Sequence, residues 1–414
     1  MNKNIKLAVA GAVLALSASA ANAGIIIPAG EWTIDINGNV NAFVNQTNID
    51  SSNNQDTGSA LDQTKAGGHG SIKSIQTGLL PAWLGFTGKT RQNDLDVEFT
   101  ISLQPGVSGN DITGDGATVG GTTAGSPSQN FLNRQTYLSF GDKSWGSIKL
   151  GKDLGIYASD AILNDMTLLG VGSGGGLNST INSTNGGIGT GYQYAAWKGQ
   201  VAYTTPNFNG FQATIGITNP NQIGVSGGNA GATGAQTMAQ GSYGLEGKAS
   251  YSFNANDVTG KLWVSGASYQ VNTDSVNNQD MYAADIGANV NFANAGLTAY
   301  YYNGKGNGIT FLGTDGFNAS GQKRDADGGY IQATYVLPTK TKIGAAYGKS
   351  TLDLAGGESG VGVVKDQKRW TLGAYHPLTK HLNLVAELSE IKNESHDSLR
   401  NEYTNASLGA IMFF

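Results

Sequence analysis

Between residues 32 and 45 the chain alternates with a period of two. Trp32, Ile34, Ile36, Gly38, Val40, Ala42 and Val44 are apolar or small, and the positions between them are polar except for Phe43. That period belongs to a β-strand with two unlike faces. The length is the constraint. A membrane-crossing β-strand takes about 9–11 residues and turns alternate side chains to lipid and to the interior. The pattern returns at 78–89, 95–104, 131–141, 145–152, 195–205, 210–218 and 242–253. It continues at 258–270, 280–292, 296–304, 327–337, 341–351, 366–376, 381–391 and 402–414. The reading is therefore all-β: sixteen antiparallel strands closing a transmembrane β-barrel.

The connections support closure. Short ones at 89–94, 141–145, 206–209, 254–257, 293–295, 338–340 and 377–380 alternate with long ones, and most of the short ones are rich in Asn, Gly, Pro and Lys. The long ones cover about 46–77, 105–130, 153–194, 219–241, 305–326 and 352–365, with shorter members near 271–279 and 392–401. Short periplasmic turns at one end and long external loops at the other are how outer-membrane barrels are built. An even strand count brings the first and last strands together and leaves no open edge.

Composition removes the competing classes. Gly numbers 62 of 414 residues and charged residues are only 13%, which excludes a charge-rich disordered chain and a long coiled coil. No Cys is present, so there is no disulfide framework, thiolate metal site or Cys nucleophile. Residues 1–23 read as an export signal: Lys3 and Lys6, then an apolar stretch from Leu7 to Leu16, then Ala21-Asn22-Ala23 as the cleavage site. Residues 24–414 are expected to form a single barrel domain. Without Lys3 and Lys6 the 25 basic residues become 23 against 30 acidic, a net charge of −7. No basic face offers itself to nucleic acid. The last strand ends on Phe414, similar to the outer-membrane assembly signal, which implies the barrel assembly machinery as a partner.

Three stretches resemble a family. Ala82-Trp83-Leu84-Gly85-Phe86-Thr87-Gly88, then Asn133-Arg134-Gln135-Thr136-Tyr137 with 145–152, then Asn164-Asp165-Met166 and the turn at 203–208 are similar, in this order, to the general bacterial porins of Gram-negative outer membranes. The resemblance implies a passive, water-filled, usually homotrimeric channel for small hydrophilic solutes and ions. Its surroundings would be outer-membrane lipid and lipopolysaccharide, and 153–194 would be the third loop, constricting the pore. It further implies an acidic lip on that loop facing a ladder of basic residues. Asp165 takes the acidic position, and Arg134 and Lys198 take ladder positions. Trp83 and Asn39 stand where the family carries Arg and Lys.

Two absent cations and the charge of −7 predict a weakly cation-preferring pore. Parity turns Trp83 inward, while the parity of Arg134 with Thr136, Leu138 and Phe140 leaves its facing open. Phe43, Trp370 and the scattered Tyr residues read as girdle or strand packing. The inward parity mixes acids (Asp35, Asp96, Glu98, Glu246, Asp285, Glu387) with bases (Lys149, Lys248, Lys261, Arg369), which argues against a strongly ion-selective pore. The stretch 170–175 satisfies G-x-G-x-x-G, but no strand–helix unit surrounds it, so it reads as loop rather than a dinucleotide site. The four His residues show no ligand spacing and no catalytic arrangement is readable, so no enzyme, cofactor or metal is expected. Two other readings stay open: a solute-specific channel with a lumenal binding site, which a single solute would block saturably, and an adhesin or receptor on a plugged barrel, which would not conduct.

Overall fold

The computed structural model describes residues 24–63, 70–105, 131–174, 183–219, 242–271, 279–311 and 313–414. The proposed export signal lies outside them, as do most of the expected loops 105–130 and 219–241.

The described strands begin with β1 (Ile25–Ala29), β2 (Trp32–Asn54), β3 (Ser71–Gln76), β4 (Trp83–Gln92), β5 (Leu95–Pro105) and β6 (Phe131–Asp142). They continue with β7 (Gly146–Leu154), β8 (Trp197–Thr204), β9 (Phe211–Thr218), β10 (Gly244–Ala255), β11 (Val258–Val271) and β12 (Gln279–Phe292). The last six are β13 (Ala295–Lys305), β14 (Asp325–Val336), β15 (Lys342–Leu352), β16 (Val364–Pro377), β17 (Leu382–Ser395) and β18 (Arg400–Phe413). Each pairs antiparallel with its neighbour, and β18 returns to β2 through Phe413↔Asn39 and Leu408↔Val44. That pairing closes the sheet. Sixteen strand positions form the ring, because β3 and β4 share one position along β2 and β1 is a short flank on the start of β2.

The alternation works as the sequence predicts. Val44, Ile286 and Leu408 point outward and are among the most exposed apolar side chains, while Asn45, Asp285 and Ser407, one residue away, are buried inside. The tight turns cluster at one end. At β4–β5 both Asn93 (φ 48°) and Asp94 (φ 61°) adopt the left-handed conformation that a two-residue hairpin needs to match strand twist.

Three expectations need correction. Residues 78–89 are not one strand: 77–82 leaves the sheet, bends into the barrel, and the chain rejoins at Trp83. Pro81 lacks the N–H a ladder requires, and the apolar Leu79 packs inward on a loop rather than outward on lipid. Likewise the segment 46–77 is not all loop, since β2 runs on to Asn54 and β3 follows. Phe43 and many Tyr residues also sit inside, not in a girdle: Phe43, Tyr269, Tyr302, Tyr375 and Tyr403 are buried among lumenal clusters.

Candidate functional site

The connection between β7 and β8 folds into the barrel. It carries a short helix, α1 (Ser159–Leu163), and a 3₁₀ turn at Met166–Leu169. Such backbone inside a barrel must find partners for its polar groups. Glu246 on β10 accepts from the N–H of Ile156 (2.6 Å) and Tyr157 (2.9 Å). Asp160 of α1 pairs with Lys261 on β11 and, at 3.3 Å, with Lys248 on β10. Gln332 on β14 accepts from Met166 N–H and donates to the carbonyl of Asn164 (2.9 and 2.6 Å). Ser350 on β15 accepts from Gly191 N–H (3.0 Å), and Gln367 on β16 donates to the Gly189 carbonyl (2.7 Å). Glu387 on β17 takes the N–H groups of Val171 and Gly172, both at 2.8 Å, and the Tyr375 hydroxyl at 2.7 Å. Hydrogen bonds to ionised carboxylates are about twice as strong as neutral ones, and several of these lie away from water. Most of the loop's side-chain anchors therefore fall on β10–β11 and β14–β17, with one from β3, where Gln76 donates to the Gly174 carbonyl at 2.7 Å.

The bend at 77–82, between β3 and β4, also supports the loop. Leu79 N–H donates to the Gly170 carbonyl at 2.8 Å. A Cβ on Gly78 would run into that same carbonyl oxygen, so the close approach needs glycine there.

Of the five residues singled out by resemblance, three act as fasteners here. Asp165 is only 1% exposed. It caps the 3₁₀ turn through Thr167 N–H (2.8 Å), accepts from the Tyr192 hydroxyl (2.8 Å), and lies 3.7 Å from Arg369 on β16. It thus faces the anchoring wall, not the wall that carries Arg134. Lys198 is buried in an ion pair with Glu246 at 2.6 Å and also reaches the Tyr269 hydroxyl at 3.0 Å. Asn39 is fully buried and donates to the Pro81 carbonyl at 2.9 Å, holding the inward bend.

The other two come together. Trp83 faces inward, as its parity with Thr87 predicts, and meets Phe413 edge-on at 6.3 Å. Arg134 stacks over the Trp83 ring at 4.5 Å and over Trp197 at 4.2 Å. Simple parity with Leu138 would send Arg134 to lipid. A bulge prevents this: Ser102 opposes Gln135 while the next residue, Leu103, opposes Asn133, leaving Arg134 as the extra residue that can turn inward. Its Nη1 donates to Gln135 Oε1 (3.1 Å), whose amide in turn donates to Asp153 (2.9 Å). Asp153 is itself paired with Lys149.

Between this wall and the loop lies a cleft of about 570 Å³. Trp197, Tyr194 and Phe311 border it, and the last two stack with centroids 4.3 Å apart. Sequence reasoning passed over these three because nothing local distinguishes them. The inward acids and bases that fasten the loop were legible from parity. Among the described residues no group of His, Asp or Glu side chains is arranged to hold a metal. At the outer mouth, Asp62 accepts from Thr57 N–H (2.6 Å) and from the Asn393 amide (2.8 Å), and burial pushes its carboxyl up to about 6.

A closed sixteen-stranded barrel with an apolar outer face and a long loop fastened inside is the architecture of an outer-membrane channel. The chain belongs to the Gram-negative porin family, whose model matches residues 9–396. Its place is accordingly the outer membrane. Among solved structures the fold is similar to the outer membrane channel DcaP of Acinetobacter baumannii, with 15% identity, TM-score 0.64, and coverage of 95% of this chain and 100% of that one. It is also similar to the anion-selective porin from Comamonas acidovorans (16% identity, TM-score 0.60, 93% and 100% covered). A third likeness is to OmpF of Salmonella typhi in complex with daunomycin (14% identity, TM-score 0.57, 94% and 100% covered). No curated protein matches the chain in sequence.

Proposed function

We propose that the protein is a passive diffusion channel for small hydrophilic solutes and ions, with its narrow passage between the inward loop and the β4–β8 wall. The observation that carries this reading is the one-sidedness of the loop's fastening. Its charged anchors and most of its amide anchors fall on β10–β11 and β14–β17, with one more amide from Gln76 on β3, while Trp83 and Arg134 stand on β4 and β6. Asp165, Lys198 and Asn39 then shape the constriction by holding the loop and the bend. Trp83 and Arg134 line it.

Selectivity follows from which charges remain unspent. Glu246, Asp160, Asp165 and Glu387 are each engaged by cations or donor groups. Arg134 has no carboxylate within ion-pair distance among the described residues. A preference for anions at the narrow part replaces the weak cation preference expected from net charge, because only charges within a screening length of about 8–10 Å act on a passing ion. The assembly proposed is a homotrimer exported through removal of 1–23, in contact with outer-membrane lipid and lipopolysaccharide. Recording from the purified protein in a planar bilayer under a salt gradient tests the reading. Open-channel steps with a reversal potential on the anion side are expected; a silent, folded protein would favour a plugged receptor.

A further inference from the structure

The cleft beside Arg134 has an unusual charge balance. Among the described residues its lining contains three cations, Arg134, Lys152 and Lys198, and no carboxylate. Lys198 is neutralised by Glu246. Lys152 donates to the Asn133 carbonyl at 2.7 Å and, like Arg134, has no carboxylate within ion-pair distance among the described residues. The Arg134 guanidinium is held flat between two indole faces and its Nε is buried without a partner. Beside the amides of Gln104, Asn133 and Asn219 and the Ser183 hydroxyl, most of the lining is apolar. Leu163, at the end of α1, is 41% exposed although it lies inside the barrel. Ile162, Leu168 and the stacked Tyr194–Phe311 pair complete that surface.

We infer that this cleft binds organic anions with a flat apolar body, that is, aromatic carboxylates. The inference rests on the channel reading above and names a solute class for the same passage. The carboxylate meets Arg134, with Lys152 adding charge, and the ring lies against Leu163 and the aromatic pair. A sugar would need acidic partners as well as amides, and among the described residues this lining supplies only the amides of Gln104, Asn133 and Asn219. A small inorganic anion would leave the apolar surface wet.

The probe is 2-naphthoate, with acetate as the charge-only control and 2-naphthol as the ring-only control. Single-channel recording of the full-length protein should show saturable block by naphthoate at concentrations at least about tenfold below either control, a tenfold step corresponding to 1.4 kcal/mol. Arg134→Gln should lose that advantage. Leu163→Asp, which leaves Arg134 in place and alters an exposed position, should weaken block as well. Quenching of tryptophan fluorescence by naphthoate in detergent reads binding at Trp83 and Trp197 independently of conduction. Conducting channels that naphthoate blocks no better than acetate overturn the inference and leave the channel reading standing. Naphthoate quenching that Arg134→Gln abolishes, in a protein that never conducts, overturns the channel reading and supports the site.

Discussion

The two halves of the barrel interior treat charge in opposite ways. On β10–β17 acids and bases are present in number, and most are spent on each other or on the backbone of the inward loop; Asp285 on β12 accepts from the Tyr300 hydroxyl instead. On β4–β8 the charges are fewer, yet Arg134 faces a cleft, held by two indoles and the Gln135 amide, with no carboxylate within ion-pair distance among the described residues. Counting charged residues by parity would rank the first half as the selective wall. Counting unspent charge ranks the second. In a lumen filled by its own loop, the groups that act on a solute are those that the loop does not consume.

Breaking the anchoring half should have the largest effect. Glu246→Ala removes the acceptor for two loop N–H groups and leaves Lys198 buried without its carboxylate, a loss of about 3–5 kcal/mol when a buried pair is broken from one side. The start of the loop should come loose. Wider and noisier open-channel steps, and protease cutting within 155–160 in the folded trimer or monomer, are the expected readouts. Unchanged traces would mean that the loop is held by something other than the anchors on this wall.

Arg134→Gln sharpens the other side of the comparison. Removing one unit charge a few ångströms from the ion path in a wet channel is worth about 1 kcal/mol to each passing ion, with opposite sign for anions and cations, or up to about thirtyfold in the anion-to-cation permeability ratio. The reversal potential should move toward cations by that amount. Lys198→Gln should also loosen the loop, because it strips Glu246 of its partner, and its signature is therefore noise rather than a clean shift.

The smallest effect belongs to the outer mouth. Burial raises the Asp62 carboxyl to about 6, so the docked segment 55–63 holds a proton more tightly than the free segment does. Docking is therefore firmest below the ordinary carboxylate range near pH 4, weakens as pH rises through about 6, and is flat above it. Proteolysis of this segment should quicken across that window in the wild type. Asp62→Asn should remove the pH dependence, and if it persists another group governs the segment.

Much of the barrel was legible from the sequence because lipid imposes an outward period of two that no interior detail can override. Val40, Val44, Leu408 and Met412 show it plainly. The interior was harder for one physical reason: period arguments assume a polar lumen, whereas this lumen packs apolar loop residues such as Leu169 and Val171 against Phe43, Val385 and Ile411. The bend at 77–82 was hidden for the same reason, since Leu79, Leu80 and Ala82 mimic a strand that faces lipid. Arg134 was ambiguous because a bulge shifts parity by one residue and is visible only in the register with β5. Asp165 was legible as a loop acid but not as a partner of Arg369, which is remote in sequence and reached only once the barrel has closed.

Helix α1 carries the central claim on its two sides. Ala161 is fully buried against the anchoring half, where Tyr330 donates to its carbonyl at 2.8 Å, while Leu163 is exposed toward the cleft. The chain has no cysteine, so single Cys variants report cleanly. The direct measurement is single-channel conductance of Leu163→Cys and Ala161→Cys before and after a charged methanethiosulfonate reagent. The predicted result is a stepwise fall in current for Leu163→Cys and none for Ala161→Cys; block through Ala161→Cys with Leu163→Cys silent would place the passage on the other side of the loop and contradict the account.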